Sequence, residues 1–520
     1  MPDSPAVLVP FQTMNCAERL VAIFGSQAEV ARHFRIDRAV VSNWVKYGYV
    51  PSRWAMEVEH ATDGRIPAVE MLNEANARKP IKVKSRGEED SLFGPSLAGS
   101  DTMNQFAPAK RIQSFHPPQR TLMGPGPSEI NPRVMAAMSL PAIGYLDPVF
   151  VEMMEELKGL LRYTFQTRNA LTFPVSGPGS VGMEYCFVNL VAPGDKVIVC
   201  RNGVFGGRMI ENVERCGGIP VIVDDAWGEA VDPNKLEDVL KHHPDARVVA
   251  FVHAETSTGV QSDARTLVEI AHQHDTLTIV DAVTSLAGTP VLVDEWSIDA
   301  IYSASQKCLS CTPGLSPVSF SDRVVDYVKA RKDKIHSWFM DMNLLLGYWG
   351  ATTRTYHHTA PTNSLYALHE ALLILKEEGI ENAWARHQRH HQALKAGLEA
   401  MGLQYLVKEG ARLPQMNAVH IPEAIGPREA EVRKTLLTEF NLEIGAGLGP
   451  LAGKIWRIGI MGYSCKPENV MLCLSALGSV LSDMGLPIHV GEAEAAAHHA
   501  YAQMHAKAAQ QKKTKVAATA

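Results

Sequence analysis

The sequence predicts an α/β fold: a large domain on a mostly parallel sheet, a smaller α+β domain after it, and a small all-α helix-turn-helix unit in front. Three observations predict it. Short β-branched runs at 197–199, 220–223, 248–252, 276–280 and 300–302 alternate with amphipathic helical patterns, which implies parallel strands with helices on both faces. Residues 15–77 hold two short apolar-periodic helices joined by a tight turn. A long polar-faced helix over 383–401 precedes the strand-like run Trp456-Arg-Ile-Gly-Ile, the start of a second, smaller sheet.

The first unit reads from its caps and periods. Leu20, Val21, Ile23 and Phe24 are followed by Gly25 and Ser26, and Ser26 is a suitable N-cap for a helix over residues 27–34. A turn at Arg35-Ile36-Asp37 leads to a second helix over 38–47, with Val40, Val41, Trp44 and Val45 at helical spacing. Residues 78–120 lose all periodicity and read as a flexible linker, within which Met103 could begin a separate product. Residues 121–375 form the large domain and 376–485 the small one. The Ala-, His- and Lys-rich tail, 486–520, is expected to be disordered or marginally helical.

At 520 residues the chain can bury large cores in two or three domains. Its net charge of −6 gives no general pull toward nucleic acid or membrane, so any DNA contact must be regional. No apolar run reaches the roughly 18 residues of a membrane span, and the start lacks a signal core, which points to a cytoplasmic protein. The eight cysteines sit in apolar runs, as reduced core thiols do. Cys308 and Cys311 have CxxC spacing but no second pair, so packing is expected there and no metal. His357 and His358 are likewise read as packing or capping groups.

The chemistry concentrates around Lys307. The apolar run ending at Tyr302 and the turn at Thr312-Pro313-Gly314 enclose this lysine, and burial makes an amine more nucleophilic. Asp281 ends another buried-strand pattern, one strand-to-strand step earlier. A carboxylate there can pair with a pyridine nitrogen and keep it protonated; its plainer reading is a cap for the next helix. Gly177-Pro178-Gly179-Ser180 lies between an apolar run and a helical pattern, where free backbone N–H groups can meet an anion. Lysine, carboxylate and anion turn together suit pyridoxal phosphate.

Residues 121 to about 485 resemble the class V aminotransferases of fold type I, and within them the alanine–glyoxylate and serine–pyruvate or serine–glyoxylate branch. The matching segments are Met-Gly-Pro-Gly-Pro-Ser (123–128), Phe-Gln-Thr-Arg-Asn (165–169), His-Ala-Glu-Thr-Ser-Thr-Gly-Val (253–260), Val-Asp-Ala-Val-Thr-Ser (280–285), Ser-Ala-Ser-Gln-Lys (303–307), Tyr-His-His-Thr (356–359) and Trp-Arg-Ile-Gly (456–459). The resemblance implies Lys307 as the Schiff-base lysine and Asp281 as the pyridinium partner. It implies Gly179, Ser180 and Gln306 as phosphate-side contacts and Thr256 as the hydroxyl on the ring's phenolic oxygen. Tyr356 and Thr359 would close the phosphate site of a neighbouring subunit, giving a homodimer with shared sites. Arg457 would hold the substrate carboxylate as a bidentate fork; its plainer reading is a structural ion pair. Two positions depart from the pattern: Phe205 where relatives often carry a stacking tryptophan, and Ser180 where some carry histidine.

The first unit resembles the Cro and YdaS-like repressors. That resemblance implies Arg38, Ser42, Asn43 and Lys46 as major-groove contacts on DNA, against a plain helical bundle without DNA. The expected activity is transamination from a small L-amino acid, alanine or serine, to glyoxylate or pyruvate. A MocR-like regulator, which uses such a domain as a cofactor or ligand sensor, is the alternative. A sulfur-transferring class V enzyme fits poorly, since those carry histidine where Gln306 stands and a cysteine on a mobile loop.

Overall fold

The computed structural model describes residues 14–47, 50, 54–67, 70–71, 114–350 and 354–519. Met103 and most of the expected linker lie outside them. The chain divides into two compact units, one ending at Ser114 and one beginning at Phe115.

In the first unit, α1 (Cys16–Phe24) opens with a capping box in which Asn15 and Glu18 each accept the other's backbone N–H. Ser26 caps α2 (Gln27–Phe34) by accepting the Glu29 N–H. Arg35 then takes a left-handed conformation, φ 53°, and the Ile36 N–H returns to the Ala31 carbonyl, stopping the helix before α3 (Arg38–Tyr47). A further helix, α4 (Ala55–Ala61), follows. Leu20, Val30, Val41, Trp44, Val50 and Val58 form the core of the unit.

The second unit begins with β1 (Thr121–Leu122), α5 (Pro132–Met138), α6 (Pro148–Phe165), β2 (Leu171–Ser176), α7 (Gly179–Leu190), β3 (Lys196–Arg201), α8 (Val204–Arg215) and β4 (Ile219–Asp224). It continues through α9 (Pro233–His242), β5 (Ala246–Val252), β6 (Ala254–Glu255), β7 (Val260–Gln261), α10 (Ala264–Gln273), β8 (Leu277–Asp281), β9 (Ala300–Tyr302) and β10 (Leu315–Phe320). Seven strands form one sheet in the order β2-β10-β9-β8-β5-β3-β4, with β10 antiparallel to both its neighbours and the other pairings parallel. Val248, Val249, Ile279, Val280 and Ile301 are all fully buried in it. Strands buried on both faces read as continuous apolar runs, which is why the sequence exposes them.

After α11 (Asp322–Ala330) and α12 (Met342–Leu345) come the long helices α13 (Thr362–Glu378) and α14 (Ile380–Ala400). Then β11 (Met416–His420), α15 (Glu429–Glu439), β12 (Leu442–Glu443), β13 (Gly445–Ala446), β14 (Ile455–Gly459) and α16 (Pro467–Asp483) build the smaller layer around the sheet β11-β14-β13. Two expectations need correction. Thr121 and Leu122, assigned to the large domain, pair with β12, and the Gly459 N–H reaches the Met123 carbonyl, so residues 121–123 are bonded to the small-domain strands. A two-residue strand carries no periodic signal. The tail is not disordered: Glu492–Thr519 forms α17, whose Ala493 and Ala497 are buried and whose Tyr501 hydroxyl meets His390 of α14 at 2.7 Å. Alanine is the strongest helix former and lets helices approach closely, so this helix packs without a large apolar stripe. Among the described residues no helix is long and apolar enough to cross a membrane.

Candidate active site

The site lies at the C-terminal ends of the parallel strands. Asp281 is the last residue of β8 and pairs in register with Tyr302, the last of β9. The chain leaves β9 through Ser303 and Ala304 and reaches Lys307 before β10 returns. Lys307 is partly buried, and its Nζ donates to the Pro125 carbonyl. Burial lowers its pKa to about 8, with Arg457 adding to the fall, while Cys308 and Asp281 oppose it. Residues 125–128 lie against this lysine: a side chain at Gly126, where φ is +113°, would collide with it, and the Ser128 N–H bonds the Gln306 carbonyl at 2.9 Å.

Asp281 is almost fully buried, and burial raises its carboxyl to about 7. Two donors counter this: the Val283 N–H on Oδ1 at 2.8 Å and the Tyr302 hydroxyl on Oδ2 at 2.7 Å. The helix cap considered for Asp281 is not found, since no helix lies between β8 and β9: one oxygen closes a local turn with the Val283 N–H and the other meets Tyr302. Glu255, buried at the end of β6, is also pushed up by burial although it accepts from the Ser257 hydroxyl, the Ser257 N–H and the Phe205 N–H at 2.6, 3.0 and 3.1 Å. Its charge opposes that of Asp281 and supports that of Arg457.

Arg457 sits in the middle of β14. Its Nε donates to the Ala446 carbonyl at 2.7 Å and its Nη1 to the carbonyl of the buried Thr256 at 3.1 Å. Burial lowers it to about 10. Among the described residues Arg457 forms no ion pair, its two fixed contacts being to neutral carbonyls. Phe205 is partly buried at the start of α8, with the Arg208 guanidinium 4.8 Å from its ring centre.

At the anion turn, Gly177 (φ +152°) donates to the Gly314 carbonyl. Pro178 precedes α7 with no side-chain cap, so the first N–H groups, those of Gly179 and Ser180, remain for an anion. A Cβ at Gly179 would stand 2.9 Å from that of Ala304, and this close approach brings the turn to within three residues of Lys307. Tyr356 and Thr359 are not drawn into this cluster. Both are exposed, their hydroxyls 3.4 Å apart, with Tyr356 against Tyr145. Between them His358 meets the Ser176 hydroxyl at 3.0 Å, and His357 stacks on Trp338. Cys308 and Cys311 are buried thiols that burial pushes up to about 12 and 11.

Sequence reasoning did not single out Glu255 and Tyr302. Both lie in quoted segments, but as buried strand-end residues whose polar contacts depend on cross-strand register.

The family model described as aminotransferase class-V matches residues 144–456. The chain is a class V aminotransferase. This aminotransferase is 39% identical to the (S)-ureidoglycine–glyoxylate transaminase of Bacillus subtilis over 403 residues, 74% of this chain and 96% of the relative. It is 40% identical to the alanine–glyoxylate aminotransferase of Oryctolagus cuniculus over 369 residues, 70% of this chain and 93% of the relative. Among solved structures it matches the Bacillus subtilis ureidoglycine–glyoxylate aminotransferase with TM-score 0.73 and 40% identity, covering 75% of this chain and 100% of that one. The alanine–glyoxylate aminotransferase of Nostoc sp. matches with TM-score 0.70 and 42% identity, covering 72% and 98%. In front of the aminotransferase, residues 17–78 match the model described as bacterial toxin YdaS.

The cofactor of a class V aminotransferase is pyridoxal phosphate, and the residues present fit it. The start of α7 is uncapped, so its backbone N–H groups are available to a phosphate, and glycines 126 and 179 keep the space beside Lys307 clear of side chains.

Proposed function

We propose that the chain transfers the amino group of a small L-amino acid, alanine or serine, to glyoxylate or pyruvate in a ping-pong cycle. The observation that supports this best is the meeting of a pKa-lowered lysine, a buried carboxylate at the end of β8 and an arginine whose hydrogen bonds among the described residues go to carbonyls. When bound, the cofactor supplies an electron sink for the bond broken at the substrate's α-carbon. Lys307 would hold the cofactor at its aldehyde carbon until the substrate's amine displaces it, and the freed lysine amine would then carry the proton between the substrate's α-carbon and that carbon. Asp281 keeps the ring nitrogen protonated, Phe205 packs on the ring and Thr256 reaches its phenolic oxygen. Gly177, Gly179, Ser180 and Gln306 hold the phosphate, and Arg457 fixes the α-carboxylate. The Bacillus subtilis and Oryctolagus cuniculus relatives are both glyoxylate aminotransferases, which favours glyoxylate as acceptor.

The working form in this reading is a cytoplasmic homodimer in which Tyr356 and Thr359 complete the partner's phosphate site. Their exposure supports it, as does the exposure of Met135, Leu140, Ile143, Leu146 and Val149 on the segment that carries Tyr145. An amino-donor screen against glyoxylate and pyruvate, following cofactor absorbance, tests the activity. Lys307→Ala must abolish borohydride-trappable attachment of the cofactor; attachment that persists overturns the assignment.

The match to YdaS supports DNA contact as an additional role. Arg38, Ser42, Asn43 and Lys46 are all exposed on or at the start of α3. Replacing Asn43 with alanine should then relax base preference in binding selection from random duplexes, and replacing Lys46 should weaken all duplexes alike.

A further inference from the structure

We infer that Tyr302 is a positioning residue for the reaction: its hydroxyl holds the Asp281 carboxylate ionised and aimed for the cofactor's ring nitrogen. The inference rests on the assignment of Asp281 as the partner of that nitrogen. The parallel pairing of β8 and β9 sets Tyr302 directly beside Asp281, and Oδ2 accepts the hydroxyl at 2.7 Å. Both residues are buried to within 2% of full exclusion. A buried tyrosine hydroxyl needs a partner, and a buried carboxylate needs donors to remain charged. Each supplies the other's requirement.

The need is greater than burial alone creates. The ionisable groups that act on Asp281 or on Tyr302 are Glu255, Lys307 and Cys186, and Glu255 disfavours a second negative charge nearby. The Val283 N–H occupies Oδ1. Without the Tyr302 hydroxyl, Oδ2 faces that field with no protein donor among the described residues. The proton then settles on the carboxyl, and a neutral carboxyl no longer provides the charge that keeps a ring nitrogen protonated. The tyrosine ring itself packs in the sheet core, so Tyr302→Phe removes the donor and keeps the packing.

The test has two arms. In cofactor-free protein, difference infrared spectra assign the neutral-carboxyl band of Asp281 by its absence in Asp281→Asn. In Tyr302→Phe that band should persist to a pH higher by about one unit; an unmoved band overturns the inference. In the second arm, wild type, Tyr302→Phe and Asp281→Asn are each titrated with pyridoxal phosphate and with its analogue bearing C–H in place of the ring nitrogen. Tyr302→Phe should weaken binding of the cofactor about 10- to 100-fold, the range for a lost hydrogen bond to a charged group, and leave the analogue's binding unchanged. Equal weakening of both ligands means a structural role and overturns the inference. If Asp281→Asn itself fails to discriminate between the two, the assignment of Asp281 falls; if it discriminates and Tyr302→Phe does not, only the role of Tyr302 falls. Should Tyr302→Phe misfold, 3-fluorotyrosine at 302, a stronger donor of nearly the same shape, must move the infrared band to lower pH.

Discussion

At the scale of single residues, the decisive balance is between burial and specific donors. Lys307 is held near 8 by desolvation, so its neutral, nucleophilic form is present well below the ordinary lysine range. The rate at which cofactor-free protein captures an aldehyde at this lysine should therefore rise through about pH 8 and level off; a rise centred near the ordinary lysine value would contradict the geometry. Arg457 makes a different demand. Arg457→Lys keeps a charge but loses the fork, and KM for the amino acid should increase about 10- to 100-fold with a smaller change in kcat, as steady-state kinetics would read. Lys307 and Asp281 stand out in the sequence because each is a charged residue following an apolar run, whereas Arg457, in the middle of β14, was singled out only through the family resemblance. Tyr302 was not, since tyrosine is ordinary in a strand and its role comes from the residue opposite. Glu255 was masked in the same way, because its partners lie on α8 and in its own turn.

At the scale of elements, α14 carries three buried histidines, His387, His390 and His391, each with Nδ1 in a hydrogen bond. His387 donates from Nδ1 to the Ala383 carbonyl at 2.7 Å and accepts the Gly462 N–H on Nε2 at 2.9 Å, which leaves no place for a second proton. Desolvation lowers His387 to about 3 and His390 and His391 to about 4. The unfolded chain binds these protons near 6.5, so it holds more protons than the folded one between roughly pH 6.5 and 4. Stability is thus full above about 6.5 and falls as pH drops, by up to about 1.4 kcal/mol per pH unit for each histidine. Denaturant midpoints at pH 7, 6 and 5 should show this fall, and His387→Gln should flatten it. Several element types were readable: the Ser26 cap of α2 and the β-branched runs of the parallel strands are local signals. Helix α17 and strand β1 were not, because one lacks large apolar residues and the other has only two residues, and both are held by packing and pairing far along the chain.

At the scale of the whole molecule, a shared site predicts complementation. Lys307→Ala and Thr359→Ala, each impaired alone, should recover about a quarter of wild-type activity when unfolded together and refolded at equal amounts, since half the dimers are hybrids with one intact site of two. Absence of recovery, with dimers verified by light scattering, would mean that each chain builds its own site. The Pro125 carbonyl that accepts Lys307 belongs to a segment bonded at Met123 to both β12 and β14. Lys307 of the large layer is thereby tied to a segment that belongs, by its hydrogen bonds, to the small one. A side chain introduced at Gly126 would meet Lys307 directly, so a change in a loop held by the smaller layer is felt at the reactive amine.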